Sequence, residues 1–281
     1  MVRKSIFNPG NVAVVTGAAS GIGKAAGRRF ATYGLSVCLI DLPGENLDAA
    51  VAEVSAVASD DKQYICGIPT DLSDADQIRQ LHDHVMGRFG KVNFLMNNAV
   101  TRIGRGHGAE LAEWRQAMEV NFWGVVNAVR AFLPGMLSMD EPGIILNVGS
   151  KQGITNPPGH PIYNITKSAL KTYTESLEHE IRSDPDNQGE NSLSAHLLVP
   201  GWTTTGDNPH QEGAWLPDQV VDFMVEALDR GDFYILCPDG EVTTEMDHKR
   251  ILWGAQDITE SRPPLSRWHP DYAERAKKKC S

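Results

Sequence analysis

Seven short runs of nearly unbroken apolar residues recur along the chain, and each but the last leads into a longer stretch with helical periodicity. The runs are VAVVTG (12–17), SVCLID (36–41), QYICGIPTD (63–71), VNFLMNNA (92–99), GIILNVGS (143–150), LSAHLLVPG (193–201) and DFYILCP (232–238). A strand that is apolar throughout needs cover on both faces, as in a parallel sheet between two layers of helices. Helical patterns fall at about 21–34, 45–59, 73–89, 110–137 and 217–230, with a further helix around residue 163 and Ser73 as the expected N-cap of the third. No Pro- or Gly-rich linker and no internal repeat divides the chain. The expectation is a single α/β domain over residues 1–238, with 239–281 as an irregular C-terminal extension of it.

Size and charge narrow the function classes. A length of 281 residues, with 41% hydrophobic and 22% charged side chains, supports a sizeable core without disulfides or metal. A net charge of −10 argues against general nucleic-acid binding, which needs a basic surface. Cys38, Cys66, Cys237 and Cys280 form no CxxC pair, and three of them lie in the apolar runs, so reduced buried thiols are expected. The N-terminal MVRKSIFNPG has no apolar h-region, and no run of about 18 apolar residues occurs. We therefore expect a cytoplasmic protein without a membrane partner. No His, Cys and carboxylate spacing suggests a metal site.

Two stretches carry chemistry. TGAASGIG (16–23) leaves the first strand and opens the first helix. Gly17, Gly21 and Gly23 allow a tight turn and close approach of a ligand, and the helix N-terminus offers free N–H groups to a pyrophosphate. Asp41 ends the second strand 18 residues after Gly23, where a carboxylate can accept from both ribose hydroxyls and repel a 2′-phosphate. This favours NAD over NADP, with Lys24, Arg28 and Arg29 nearby in sequence pulling the other way. In HPIYNITKSAL (160–170), Tyr163 and Lys167 stand four residues apart, close to one helical turn. A lysine cation beside a phenol favours the phenolate, so the pair can pass protons.

Taken together, TGAASGIG, NNA (97–99), Asn121, Ser150, YNITK (163–167) and PG (200–201) resemble the classical short-chain dehydrogenase/reductase family in order and approximate spacing, over about residues 10–237. The resemblance implies a Rossmann-type doubly wound sheet of seven parallel strands, a nicotinamide cofactor, and NAD(P)-dependent interconversion of a secondary alcohol and a ketone. It implies a catalytic set of Asn121, Ser150, Tyr163 and Lys167, with Asn121 anchoring a water that links Lys167 to solvent. Ser20 and Ile22 would join the three glycines at the cofactor, and Asp71 and Leu72 would sit at the adenine. Asn98 and Ala99 would line the ribose, and Pro200, Gly201, Thr203 and Thr205 the nicotinamide, beside Tyr163 and Lys167. It also implies a homodimer or homotetramer through paired helices. The chain departs from the family pattern at Val100, where glycine is usual, at Gly149, where serine is more frequent, and in its long tail.

The substrate side is read only from loops after the fourth, fifth and sixth strands. Val100, Arg102, Gln152, Trp202 and Trp215 are the candidates, suiting an aromatic or apolar alcohol, with Arg102 or Arg105 available to an anionic group. A non-catalytic dinucleotide-sensing regulator of the same fold is the alternative; such a sensor would need the glycine turn but not the Asn-Ser-Tyr-Lys set.

Overall fold

The computed structural model describes residues 6–189, 192–206, 208–240 and 242–280. Seven parallel strands form one sheet: β1 (Val12–Thr16), β2 (Ser36–Asp41), β3 (Ile65–Pro69), β4 (Phe94–Asn97), β5 (Gly143–Val148), β6 (Leu193–Val199) and β7 (Tyr234–Leu236). Their order is β3-β2-β1-β4-β5-β6-β7, so the chain reverses its direction of growth between β1 and β4. In such sheets ligands bind outside the carboxyl ends of the strands at this reversal.

The continuous apolar strands arise because both faces are covered. Val15, Leu39, Met96 and Leu146 face one core with Phe30 of α1 (Gly21–Thr32), Leu47 of α2 (Glu45–Ser55) and Met224 of α8 (Pro217–Arg230). Their neighbours Val14, Cys38, Leu95 and Ile145 face the other core. There they meet Leu81 of α3 (Ala75–Phe89), Phe132 of α5 (Gly124–Leu137) and Leu170 of α7 (Pro161–Ser183), which follows the one-turn α6 (Gln152–Thr155). Strand periodicity is thus satisfied by two apolar environments rather than by one apolar and one wet face. All four cysteines are free, and Cys38 and Cys66 lie side by side on β2 and β3.

Three local expectations change. Asp74, not Ser73, caps α3: its carboxylate accepts from the N–H groups of Asp76 (2.8 Å) and Gln77 (3.3 Å), while Ser73 bonds back to Asp71. Aspartate caps as well as serine does, and here it lies one residue closer to the helix. The stretch 110–137 is not one uninterrupted α-helix. A π-helical turn, Glu119–Trp123, separates α4 (Leu111–Met118) from α5 and carries Asn121.

The third change concerns the extension, which is helical rather than irregular. It holds α9 (Thr244–Thr259), a 3₁₀ turn (Ser266–Trp268) and α10 (Ala273–Lys279). Its apolar periodicity is thin because it packs on a small cluster of Trp253, Ala276 and Cys280. Polar contacts fix the rest: Thr243 caps α9 by accepting from Met246 N–H at 3.2 Å, and Arg262 lies over the Trp253 ring at 4.2 Å.

The extension is tied to the sheet by a buried ion cluster. Lys151, in the loop after β5, places its Nζ 2.9 Å from Asp239 and 2.5 Å from Asp247 of α9. Asp239 also accepts from the Trp202 N–H at 2.9 Å, in the loop after β6. One lysine thereby joins both loops to the extension. Burial pushes the Asp247 carboxyl above its ordinary range, while Lys151 pulls it back. Removing one partner of a buried ion pair strands the other, so Lys151→Met is expected to cost about 3 kcal/mol of stability, read from urea unfolding.

Candidate functional site

A cleft of about 640 Å³ opens at the carboxyl ends of the strands, where the chain reverses. That is within the range of small-ligand and cofactor sites. Of the residues expected from sequence, Gly17, Ser20, Gly21, Ile22, Asp41, Asp71, Leu72, Asn98, Ala99, Val100, Arg102, Ser150, Tyr163, Lys167, Pro200, Gly201, Thr203 and Thr205 all line it.

At one end the wall is built for a dinucleotide. The first intrahelical bond of α1 runs from Lys24 N–H to the Ser20 carbonyl, so the earlier N–H groups have no helical acceptor. Gly17 has φ +63°, and a Cβ on Gly23 would stand 2.3 Å from the Gly17 carbonyl oxygen. Only a chain without side chains at these points makes this turn so shallow and leaves backbone donors at the cleft. Asp41 accepts from the Ala19 N–H through Oδ2 and from the Leu42 N–H through Oδ1, both at 2.8 Å, which fixes its carboxylate on the wall. Lys24 and Arg28 are engaged by Glu53, Arg28 also by Asp218, and Arg29 by Asp222. The basic residues that argued for a 2′-phosphate are therefore committed to other carboxylates.

At the other end lie Ser150, Tyr163, Lys167 and Arg102. Tyr163 and Lys167 lie in the first turns of α7, and both are buried, Lys167 at 3% exposure. Lys167 Nζ donates to the Val148 carbonyl at 2.6 Å and stands 5.9 Å from the Tyr163 ring centroid. The Arg102 guanidinium lies 5.1 Å from the same centroid. Burial pushes the Tyr163 phenol up, but the Lys167 and Arg102 charges, with Ser150 beside them, outweigh it and hold the phenol below its ordinary value. Lys167 is pushed down by burial, with Tyr163 opposing and Arg102 adding to the shift. Ser150 Oγ accepts from the Gln152 N–H at 3.2 Å, which sets the hydroxyl on its loop.

This arrangement has known counterparts. The short chain dehydrogenase family model matches residues 11–207. The chain belongs to this family.

A 3-oxoacyl-[acyl-carrier-protein] reductase of Thermotoga maritima is 32% identical over 225 residues, covering 80% of this chain and 85% of that protein. The crystal structure of a short-chain dehydrogenase/reductase from Burkholderia phymatum in complex with NAD has a TM-score of 0.78 and 29% identity, covering 92% of this chain and 97% of that one. A metagenomic short-chain oxidoreductase in complex with NADP has a TM-score of 0.68 and 27% identity, covering 82% and 98%. As a short-chain dehydrogenase, this chain is an oxidoreductase that uses a nicotinamide dinucleotide.

Some expected positions of this short-chain dehydrogenase have other surroundings. Asn121 does not line the cleft; its side chain clamps Thr101, accepting from the N–H at 2.8 Å and donating to the carbonyl at 2.9 Å, and also reaches Thr166. Asn98 donates to the carbonyls of Thr16 and Gly17 at 2.9 and 3.0 Å, so it braces the glycine turn. Gln152, Trp202 and Trp215 are not among the lining residues. Gln152 acts on Ser150 through its backbone. Trp202 and Trp215 pair through their main chains, and the Trp215 ring packs 5.9 Å from Phe223. A tryptophan ring buries more area against a helix than in an open cleft, and this decides its placement.

Sequence reasoning missed a polar relay under α7. Asn97 donates to Asn147 at 2.8 Å and Asn147 donates to Thr174 at 3.0 Å, linking β4, β5 and α7. It also missed Thr16, whose hydroxyl accepts from the N–H groups of Asn98 and Ala99 at 2.9 and 3.1 Å. An asparagine in each of two neighbouring apolar strands was the available signal, since an unpaired buried amide would be costly. Gly23→Ala is expected to raise the Kd for NADH at least about tenfold, about 1.4 kcal/mol, in fluorescence titration, with the circular dichroism of the fold retained.

Proposed function

We propose that this enzyme interconverts a secondary alcohol and a ketone, with Tyr163 as the acid/base, Ser150 on the substrate oxygen, Lys167 as the charge that makes the phenol acidic, and NAD as the preferred cofactor. The observation that carries the reading is the buried Tyr163, with the Arg102 and Lys167 cations 5.1 and 5.9 Å from its ring centroid and Ser150 lining the same cleft. Bound in the cleft, a nicotinamide would supply the hydride acceptor or donor.

In the oxidative direction the substrate hydroxyl proton passes to the Tyr163 oxygen as the hydride, with its two electrons, leaves carbon. In reduction both return. Ser150 steadies the charge that develops on the substrate oxygen. An ordinary phenol, with a pKa near 10, is too weak a base at neutral pH, and the two cations supply the difference. Fixation of Thr101 by Asn121 holds the loop that covers this end.

NAD rather than NADP is supported by the fixed Asp41 carboxylate on the nucleotide wall and by the engagement of Lys24, Arg28 and Arg29 elsewhere. A homodimer or homotetramer is supported by a shallow, open apolar groove of Phe122, Ile165, Ala169 and Tyr173 along α7, which a second copy of the chain would cover. Among the described residues no helix is long and apolar enough to cross a membrane.

The reading is tested by following NAD(H) and NADP(H) absorbance over a panel of alcohols and ketones. Tyr163→Phe should lower kcat by at least about a thousandfold while NADH binding stays near wild type, as expected for loss of an acid/base group. Binding without turnover of any carbonyl compound by the wild type would assign a dinucleotide sensor instead. Asp41→Ala should weaken NADH binding more than NADPH binding, and unchanged discrimination would remove the cofactor assignment. In the oxidative direction, kcat/KM should rise with pH through an apparent pKa below the ordinary tyrosine value, because the deprotonated form is the active base.

A further inference from the structure

The reacting end of the cleft has an unbalanced charge. The arginines of α1 are each matched to carboxylates, as are Arg79, Arg230 and Arg262. Arg102 forms no ion pair among the described residues. Its neighbours on that wall, Val100, Thr101, Gln116 and Val120, are neutral, and the cleft's two carboxylates, Asp41 and Asp71, belong to its nucleotide half. The titratable and charged groups around Tyr163 are therefore Lys167 and Arg102, both cations.

This guanidinium is not loosely presented. The residue before it, Thr101, has both its backbone N–H and its carbonyl bonded to the buried Asn121 amide. The Arg102 guanidinium lies over the Tyr163 ring, 5.1 Å from its centroid. Arg102 is exposed, so a guanidinium still open to solvent can take up an anion that enters this end. A carboxylate would meet the planar fork of donors with two parallel hydrogen bonds.

We infer that the substrate carries a carboxylate one or two carbons from the reacting carbon, a 2- or 3-hydroxy acid or the matching oxo acid, and that Arg102 selects it. The spacing follows from the geometry: the guanidinium lies over the ring of the tyrosine that trades a proton with the substrate, so an anion held by it is only a few bonds from the reacting centre. The inference rests on the oxidoreductase reading above. The hydride passes from the carbinol carbon to NAD⁺, giving NADH; the hydroxyl proton goes to Tyr163 and on to solvent; and the carboxylate is unchanged.

The test compares short 2- and 3-oxo acids with their methyl esters, using NADH, in the wild type, R102Q and R102K. Arginine–carboxylate recognition predicts a wild-type kcat/KM about 10- to 100-fold higher for an acid than for its ester. This ratio should fall to near one in R102Q and take an intermediate value in R102K, which keeps the charge but not the fork. Turnover of acid and ester at equal efficiency in the wild type, or an acid preference unchanged in R102Q, would overturn the inference while leaving the oxidoreductase reading standing. If neither turns over, titration calorimetry of the 3-oxo acid onto NADH-loaded protein reads the same selectivity. Binding of the acid but not the ester, lost in R102Q, supports the role of Arg102; equal binding, or none, removes it. For oxidation of a neutral alcohol, the acidic limb of the pH profile should move upward in R102Q, because loss of a cation disfavours the phenolate; an unmoved limb would dismiss the contact that sets the spacing.

Discussion

Lys167 is an ammonium group with 3% exposure, and much of the surrounding architecture serves to keep it there. Removal of such a charge from water costs several kcal/mol unless hydrogen bonds and a counter-charge replace hydration. The Val148 carbonyl supplies one bond at 2.6 Å from the last residue of β5. The nearby phenol supplies the other partner, since the phenolate form is an anion against the lysine. The two groups are therefore mutually dependent. Lysine lowers the cost of ionising tyrosine, and tyrosine lowers the cost of burying lysine. A pair of this kind works only if the helix that carries both is fixed against the strand end that carries the carbonyl.

Buried amides provide that fixation. The Asn97–Asn147–Thr174 relay crosses from β4 through β5 into α7 within the hydrophobic layer, so sliding of α7 would orphan several polar groups at once. Asn121 does the same for the loop after β4, from a π-helical turn that interrupts an otherwise regular helix. A helix broken at a buried polar residue gives up regular hydrogen bonding, and such breaks concentrate where function requires a particular side-chain position. Apolar packing alone would hold the elements together but would tolerate small shifts; directional amide bonds tolerate far less.

The parallel sheet, the helices on its two faces and the family were legible because they rest on repeated signals. Seven apolar runs must all find two-sided cover, and the motif residues fall at strand ends whatever the details of the loops. The glycine turn and the Tyr-Lys pair belong to this class, since each needs only local geometry to be read. What could not be read depends on contacts distant in sequence. Asn98 stands beside the expected ribose wall, yet its amide serves Thr16 and Gly17, about eighty residues earlier. Trp202 and Trp215 look like pocket residues in a loop, and only the packing of Trp215 on Phe223 and the main-chain pairing between them show otherwise. The extension reads as irregular from sequence because its helices bury few apolar residues and are held by charges whose partners lie in other loops.

Those charges give the extension a consequence for the cleft. Ser150 stands next to Lys151, and Lys151 is bound to Asp239 and Asp247, while Asp239 also receives the N–H of Trp202. The loop that presents the Ser150 hydroxyl and the loop that leads into Thr203 and Thr205 are thus joined at one buried carboxylate, and α9 closes the cluster from outside. The core of the sheet fixes Tyr163 and Lys167, whereas the tail braces the loops around them. The Tyr163–Lys167 pair and the loops around it accordingly rest on different parts of the chain. The pair is set by a strand end and a helix that the hydrophobic layers hold, the loops, such as the one bearing Arg102, by amide and ionic contacts.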